Sequence, residues 1–380
     1  AAGSVQPLMK LHVRAVVTLL VALALVGVGV LGVSVLGGDD REGGRQSRGA
    51  RTGDETADPD GGSGREGQQV AASIAGGLPL GTVTVGAASD RCPGEECESI
   101  EVTCPGLSEP IRGTVATSPP TGSPRGLVMF FTGGPGKGWY SAEHSDTTAQ
   151  FDQLRAEGFE LVQVRWGGLG WLRAATGEQV GPAELACRPA TVIKWVHDTR
   201  YQAPGLDPAP GSCGFCLTGN SGGASQIAYA LTHYGLGEVV DALIPTSGPP
   251  HAQLAKGCLD EPGEEAYAYP PSAVGVIDSS YGALRSDGPC AAGDPAFRST
   301  FDRDSVDIGG SDYDFPGTRV HFIVSPDDET VAVRARDLAE RLRQGGSPWV
   351  QVQEVPEMGH DIQKSEAGMA ALVAAILASP

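Results

Sequence analysis

The chain has 380 residues, 40% of them hydrophobic, enough for one large globular domain or two modest ones and too many for a miniprotein held by disulfides alone. Its 27 basic and 46 acidic side chains leave a net charge of −19 at pH 7, which excludes nucleic acid and anionic lipid as partners, because both are bound mainly through cation–phosphate pairing. The 55 glycines and 28 prolines would suggest disorder if spread evenly, but they are clustered.

Ala15 to Leu36 is a run of 22 residues without a charge. As a helix it spans roughly 33 Å, sufficient for a bilayer core of about 30 Å. Lys10, His12 and Arg14 precede it and Asp39 and Asp40 follow, which predicts a cytoplasmic N-terminus and a signal anchor with the remainder outside. A cleaved signal peptide is the alternative, although its apolar core usually has only about 7–15 residues. Gly37 to Gln69 contains no aromatic residue and no Val, Ile, Leu or Met, so it offers nothing to bury and reads as a flexible stalk. The expected organisation is an N-terminal anchor at 1–36, a stalk at 37–75 and a folded domain at 76–380.

All eight cysteines follow the predicted anchor: Cys92, Cys97, Cys104, Cys187, Cys213, Cys216, Cys258 and Cys290. An even count behind an export signal predicts disulfides, with Cys258 and Cys290 paired because both fall in one irregular segment. Only Cys213-Gly-Phe-Cys216 has a metal-binding spacing, and no second such pair accompanies it, so no metal site is expected.

From residue 111 apolar β-type runs alternate with helical periods, the pattern of a mostly parallel sheet covered on both faces. Strands are predicted near Ile111–Ala116, Leu127–Thr132, Glu160–Trp166, Gly214–Thr218, Val239–Pro245, Val320–Ser325 and Val350–Val355. Ala224, Ile227, Ala228 and Leu231 stand at helical spacing before Gly235, as do Ala335, Leu338, Ala339 and Leu342 before Gly345, and Met369, Leu372, Val373 and Ile376 near the end. Between them, about 249–317, the alternation lapses into an irregular, lid-like insertion.

Gly219-Asn220-Ser221-Gly222-Gly223 is a G-x-S-x-G string. In so glycine-rich a chain the string alone is weak, but an apolar run enters it and a periodic helix leaves it. That is the strand–turn–helix in which a strained elbow presents a nucleophilic Ser above a sheet. Upstream, Leu127–Thr132 runs into Gly133-Gly134-Pro135-Gly136, a turn whose backbone N–H groups, with that of Gly222, suit an oxyanion; Gly134 is the donor expected. It is not a phosphate loop, since Lys137 is followed by Gly138 where Ser or Thr is required.

An acid and a histidine should follow in that order. His360, in Pro356-Glu-Met-Gly-His360-Asp361, lies between the last strand and last helix. His144, His251 and His321 precede any suitable acid, and His233, opposite the apolar stripe of its helix, is expected to be solvated. Pro326-Asp327-Asp328-Glu329 follows a strand and offers the acid, with Asp260 as an outside alternative. Trp139 and Tyr140, with Tyr267, Tyr269 and Tyr281 of the insertion, either line an acyl or leaving-group pocket or pack internally.

On the glycine turn, the elbow and this order, the segment from about Ile111 to Pro380 resembles the α/β-hydrolase superfamily, and within it the prolyl-aminopeptidase-like and related esterase branch. Members of that branch usually carry His before the glycine turn, where this chain has Thr132. They also carry Asp-Gln-Arg-Gly-x-Gly after the next strand, where it reads Arg165-Trp-Gly-Gly-Leu-Gly170. The resemblance implies an acid three residues after the small residue ending its strand, which from Ser325 selects Asp328 ahead of Asp327.

The expectation is therefore a membrane-tethered or secreted serine hydrolase acting on a small-molecule ester. Ser221, His360 and Asp328 are its triad, Gly222 and Gly134 its oxyanion donors, and no cofactor is needed. An exopeptidase is the rival, with Glu261, Glu264 and Glu265 holding a substrate ammonium. Acyl transfer to an alcohol, or a non-catalytic binding module on the same fold, are the others.

Overall fold

A computed structural model of the chain describes residues 68–69, 76–88, 92–142, 147–201, 212–283 and 287–378. All of them belong to one compact unit, Ser63–Pro380. The predicted membrane-spanning run 15–36, most of the predicted stalk and His144 lie outside the described residues. Among the described residues no helix is long and apolar enough to cross a membrane.

Ten strands form one sheet: β1 (Gln68–Gln69), β2 (Thr82–Ala88), β3 (Glu96–Thr103), β4 (Ile111–Ser118), β5 (Gly126–Phe131), β6 (Phe159–Trp166), β7 (Phe215–Asn220), β8 (Ala242–Thr246), β9 (Arg319–Val324) and β10 (Val350–Glu354). Their order is β1-β2-β3-β4-β6-β5-β7-β8-β9-β10. From β6 to β10 every neighbour is parallel, while β1 to β4 add an antiparallel flank that ends on β6. The helices are α1 (Thr147–Ala156), α2 (Pro182–Leu185), α3 (Cys187–Val196), α4 (Gly222–Thr232), α5 (Leu254–Leu259), α6 (Pro271–Ser280), α7 (Arg298–Asp304), α8 (Glu329–Gly345) and α9 (Glu366–Leu377).

The central strands are largely apolar and buried because both faces are covered. In β5, Leu127, Met129 and Phe131 join the core shared with α3, α4 and α8, while Val128 and Phe130 join the core shared with α1 and α9. The two-residue period sends alternate side chains to opposite layers, and each large side chain so buried contributes roughly 1.5–3 kcal/mol. The amphipathic α8 buries Ala335, Leu338, Ala339 and Leu342, as its spacing predicted, and ends one residue later than expected, with Gly346 in the left-handed conformation.

Three parts of the sheet depart from expectation. β2 and β3 were not anticipated, because on this flank charged and small residues alternate with the few that reach the core, Val83, Ile100 and Val102. Gln68 and Gln69, assigned to the stalk, pair with Val83 and Thr82, an interaction between backbones that needs no apolar side chain. The insertion between β8 and β9 is not simply irregular: it holds α5, α6 and α7, too short to leave a periodic trace.

The cysteines pair as Cys92–Cys97, Cys104–Cys187, Cys213–Cys216 and Cys258–Cys290. The last is the pair expected within the insertion, and the third removes the only metal-like spacing from consideration. Among the described residues no cluster of His, Cys, Asp and Glu suits a metal ion.

His233 corrects the expectation that it is solvated. It is only 3% exposed, because α7 and its neighbours cover the face of α4 that the apolar stripe leaves polar. Its ring meets Thr232 Oγ1 at 2.9 Å and the Arg303 carbonyl at 3.5 Å. Burial pushes its ionisation from 6.5 down to about 4. The unfolded chain therefore takes up this proton before the folded one does, and the stability contributed is complete above about pH 6.5 and lost as pH falls toward 4. The loss amounts to up to roughly 3 kcal/mol. Urea unfolding at pH 7.5 and 4.5 should show a smaller pH-dependent loss for His233→Gln than for wild type; equal losses would refute this assignment.

Candidate active site

Strand β7 delivers Ser221 to the edge of the sheet, and the backbone turns sharply there. Ser221 has φ 53° and ψ −116°, a conformation costly for any residue with a side chain. Its N–H donates to the Thr246 carbonyl of β8 at 2.9 Å, and its own carbonyl accepts from Ser225 N–H at 3.2 Å as α4 begins. The strain is thus held between a strand and a helix. Gly222 occupies the first position of α4, where an N–H has no acceptor within the helix and the helix dipole favours negative charge.

The glycines of the elbow are required by contact. A Cβ on Gly222 would lie 2.3 Å from the Gly134 carbonyl oxygen and 2.7 Å from the Gly134 nitrogen. One on Gly223 would lie 2.2 Å from the Phe131 carbonyl oxygen. The elbow is therefore packed backbone to backbone against the glycine turn after β5.

The unusual Arg165–Gly170 segment holds that turn. Trp166 N–H donates to the Gly136 carbonyl at 2.8 Å, and Trp171 N–H to that of Pro135 at 3.1 Å. The Trp171 indole donates to the Gly134 carbonyl at 3.3 Å, and the Trp166 indole donates to Gln226 of α4 at 2.8 Å. Thr132, at the position where the resembling branch has His, donates to the Gly138 carbonyl at 3.3 Å.

Asp328 follows β9 and stands before the first turn of α8; His360 lies in the loop between β10 and α9. Residues 32 apart in sequence, they meet with His360 Nδ1 2.6 Å from Asp328 Oδ2. The Asp328 carboxylate, by hydrogen bond and charge, holds the His360 imidazole above its ordinary 6.5, with Asp361 adding to the effect and partial burial opposing it. Asp327 points to solvent and Asp260 ends α5 in an exposed position, so neither competes for His360.

Ser221, Gly222, Gly134, Asp328 and His360 line one cavity of about 490 Å³, roofed in part by α6 of the insertion. Of the aromatic candidates only Tyr269 lines it. Tyr140 is packed between Phe130 and Phe151 in the core, with ring centroids 5.1 and 6.3 Å away. Trp139 lies under the Arg165 guanidinium at 4.8 Å, Tyr281 donates to buried Asp304 at 2.9 Å, and Tyr267 donates to Asp337 of α8 at 2.5 Å. The glutamates of the insertion are engaged elsewhere: Glu261 pairs with Arg298, and Glu264 with Lys256 at 3.4 Å. Glu265 is exposed and accepts from Gly263 N–H at 3.1 Å.

Two cavity-lining residues were not anticipated, His251 and Arg334. His251 was set aside for preceding the acid, yet it lies in the segment that leaves the end of β8, and strand ends are where open α/β sheets bind ligands. Arg334, next to the apolar stripe of α8, was not among the sequence candidates; it is buried against Ala252 and Tyr267 of the insertion.

No protein-family model and no curated protein sequence matches the chain. Solved structures similar to it include an esterase from Pyrobaculum calidifontis, at 18% identity and TM-score 0.46, covering 75% of this chain and 85% of that one. An arylesterase is similar at 14% identity and TM-score 0.47, covering 76% and 86%. A carboxyl esterase from Bacillus coagulans is similar at 15% identity and TM-score 0.43, covering 73% and 97%. A Ser elbow after a central parallel strand, with an acid and a histidine following at the ends of later strands, is the arrangement of an α/β-hydrolase fold.

The packing of the two glycine backbones makes a stability prediction. Gly222→Ala should lower the unfolding free energy by about 1–3 kcal/mol, because the clash is with backbone that cannot swing away. Gly317→Ala, where a Cβ meets nothing within 4 Å, is the control. Equal urea midpoints for the two variants would show that the elbow has room to spare.

Proposed function

We propose that the protein is a serine hydrolase that cleaves a carboxylic ester through an acyl-enzyme. The observation that carries this reading is the 2.6 Å contact between His360 and Asp328 on the wall of the cavity into which the Ser221 elbow opens. Ser221 Oγ attacks the carbonyl carbon while His360 Nε2 takes its proton, and the Nδ1–H of His360 donates to Asp328, fixing the tautomer. The N–H groups of Gly222 and Gly134 receive the negative oxygen. The intermediate collapses by breaking the bond to the alcohol oxygen, which leaves with the proton from His360. Water then attacks the acyl carbon with His360 again as base, releasing the acid and restoring Ser221.

The peptidase alternative lacks support at its specific requirement: the insertion glutamates are paired or exposed, and none lines the cavity. We also place the folded unit outside the cytoplasm, tethered or released according to the fate of residues 15–36. The pairing of all eight cysteines supports that placement.

A fluorophosphonate probe should label the wild-type protein at Ser221 and leave Ser221→Ala unlabelled. With short-chain 4-nitrophenyl esters, Ser221→Ala or His360→Ala should reduce kcat at least about 10³-fold. Absence of labelling in folded, oxidised wild type would overturn the catalytic reading.

The raised ionisation of His360 sets the sign of the pH profile. The imidazole must be neutral to act as base, so kcat/KM should fall with acid through a midpoint above 6.5. Asp328→Asn should move that midpoint down and lower kcat by about 10³–10⁴. An unmoved midpoint would show that Asp328 is not the partner in solution.

A further inference from the structure

Two polar side chains in the cavity wall have no task in the hydrolytic chemistry, and they are neighbours. His251 is 3% exposed, and its Nδ1 has no hydrogen-bond partner. Only its backbone is engaged: the N–H donates to Ser225 Oγ at 3.3 Å, and the carbonyl accepts from Val306 N–H at 3.1 Å. The ring is fixed in place between Trp171 and Tyr229, with centroids 5.9 and 5.8 Å away. Burial, with the nearby Arg334 charge, pushes its ionisation down to about 3, so the ring is neutral at ordinary pH and keeps one N–H.

Arg334 is 1% exposed. Its Nε donates to the carbonyl of Ala252, the residue after His251, at 3.0 Å, and Nη1 donates to Thr330 at 2.7 Å. Nη2 donates to the Tyr267 carbonyl, and the guanidinium lies 4.1 Å from the Tyr269 ring centroid. Three of its five N–H groups are thus used, all on neutral oxygens. Among the described residues no carboxylate pairs with it, and among those lining the cavity it is the one Lys or Arg.

A staple between insertion and helix would need donors but not a charge. A buried guanidinium stays ionised and is stabilised most by an oxyanion. A chain of net charge −19 repels anions at long range, so selecting one requires a positive charge set inside the cavity and screened from the surface field. Apart from Asp328 and His360, engaged with each other, the remainder of this lining is uncharged and includes the apolar Pro250, Val276 and Ile277.

We propose that the ester this site hydrolyses carries a free carboxylate, which Arg334 holds as counter-ion while His251 Nδ1–H donates one hydrogen bond to it. The proposal rests on the hydrolase reading for its reaction, but the carboxylate site stands or falls separately.

Two ester pairs test it with the full chain. 4-Nitrophenyl hydrogen adipate against 4-nitrophenyl hexanoate places the carboxylate on the acyl side; 4-acetoxybenzoate against its methyl ester places it on the alcohol side. In one pair the wild type should favour the acid by about tenfold or more in kcat/KM, chiefly through a lower KM. Arg334→Gln should abolish that ratio, Arg334→Lys should restore part of it, and His251→Phe should reduce it. If Arg334→Gln fails to fold, the Arg334→Lys and His251→Phe ratios carry the test. Binding of adipate against neutral adipamide to Ser221→Ala, measured calorimetrically, gives a readout independent of turnover. Ser221-dependent hydrolysis with no acid preference in either pair, and no preference for adipate over adipamide, would overturn the carboxylate proposal and leave the hydrolase reading intact. No turnover or probe labelling, with adipate binding lost in Arg334→Gln, would overturn the hydrolase reading and keep the site.

Discussion

Two backbones meet at Gly222 and Gly134 with no room for a side-chain carbon between them, and the placement of the rest of the site follows from that contact. Strands β5 and β7 are hydrogen-bonded neighbours in parallel register, Phe131 beside Gly219, so their C-terminal ends emerge together. Only where both chains then reduce to glycine can the turn after β5 and the start of α4 close against each other. The strained φ of Ser221 is retained because a strand on one side and a helix on the other leave it no relaxed alternative. Trp166 and Trp171 grip the glycine turn from outside, so its backbone is fixed relative to Ser221.

The order of the sheet then decides which loops reach this point. β9 and β10 lie beyond β8, and the loops after them bring an aspartate and a histidine back toward the elbow. The insertion between β8 and β9 completes the enclosure. Its short helices share a small apolar cluster that includes Leu254, Ile277, Tyr281 and Phe301, and they are held further by Cys258–Cys290, by the buried Arg334 and by Tyr269 donating to the Pro250 carbonyl at 2.6 Å.

What could be read in advance divides along a physical line. The predicted strands Leu127–Thr132, Gly214–Thr218 and Val320–Ser325 announce themselves because burial on both faces leaves few polar residues, and α4 and α8 because burial on one face leaves a period. Ser221, Asp328 and His360 could be singled out because strand ends and chain order limit where a nucleophile, acid and histidine can stand, and the structure brings all three to one cavity. β2 and β3 were not anticipated, since an outer strand needs few apolar residues: Glu101 lies on the face opposite Ile100 and Val102, while Glu96 and Glu98, earlier on the same face as those two, pair with Arg200. His233 was misplaced, and the cavity positions of His251 and Arg334 were not foreseen, for a common reason. Their burial is conferred by segments distant in sequence, and local pattern carries no record of what will cover a residue.

The histidines have a consequence for observation. Burial moves His233, His251 and His321 toward lower ionisation, while Asp328 moves His360 the other way. Burial thus holds these three imidazoles toward the neutral form, while Asp328 holds His360 toward the protonated one. In a proton-detected titration the His360 ring resonances would therefore shift at higher pH than those of the three buried rings, so the protonation of His360 can be followed in the unmodified protein without an added label.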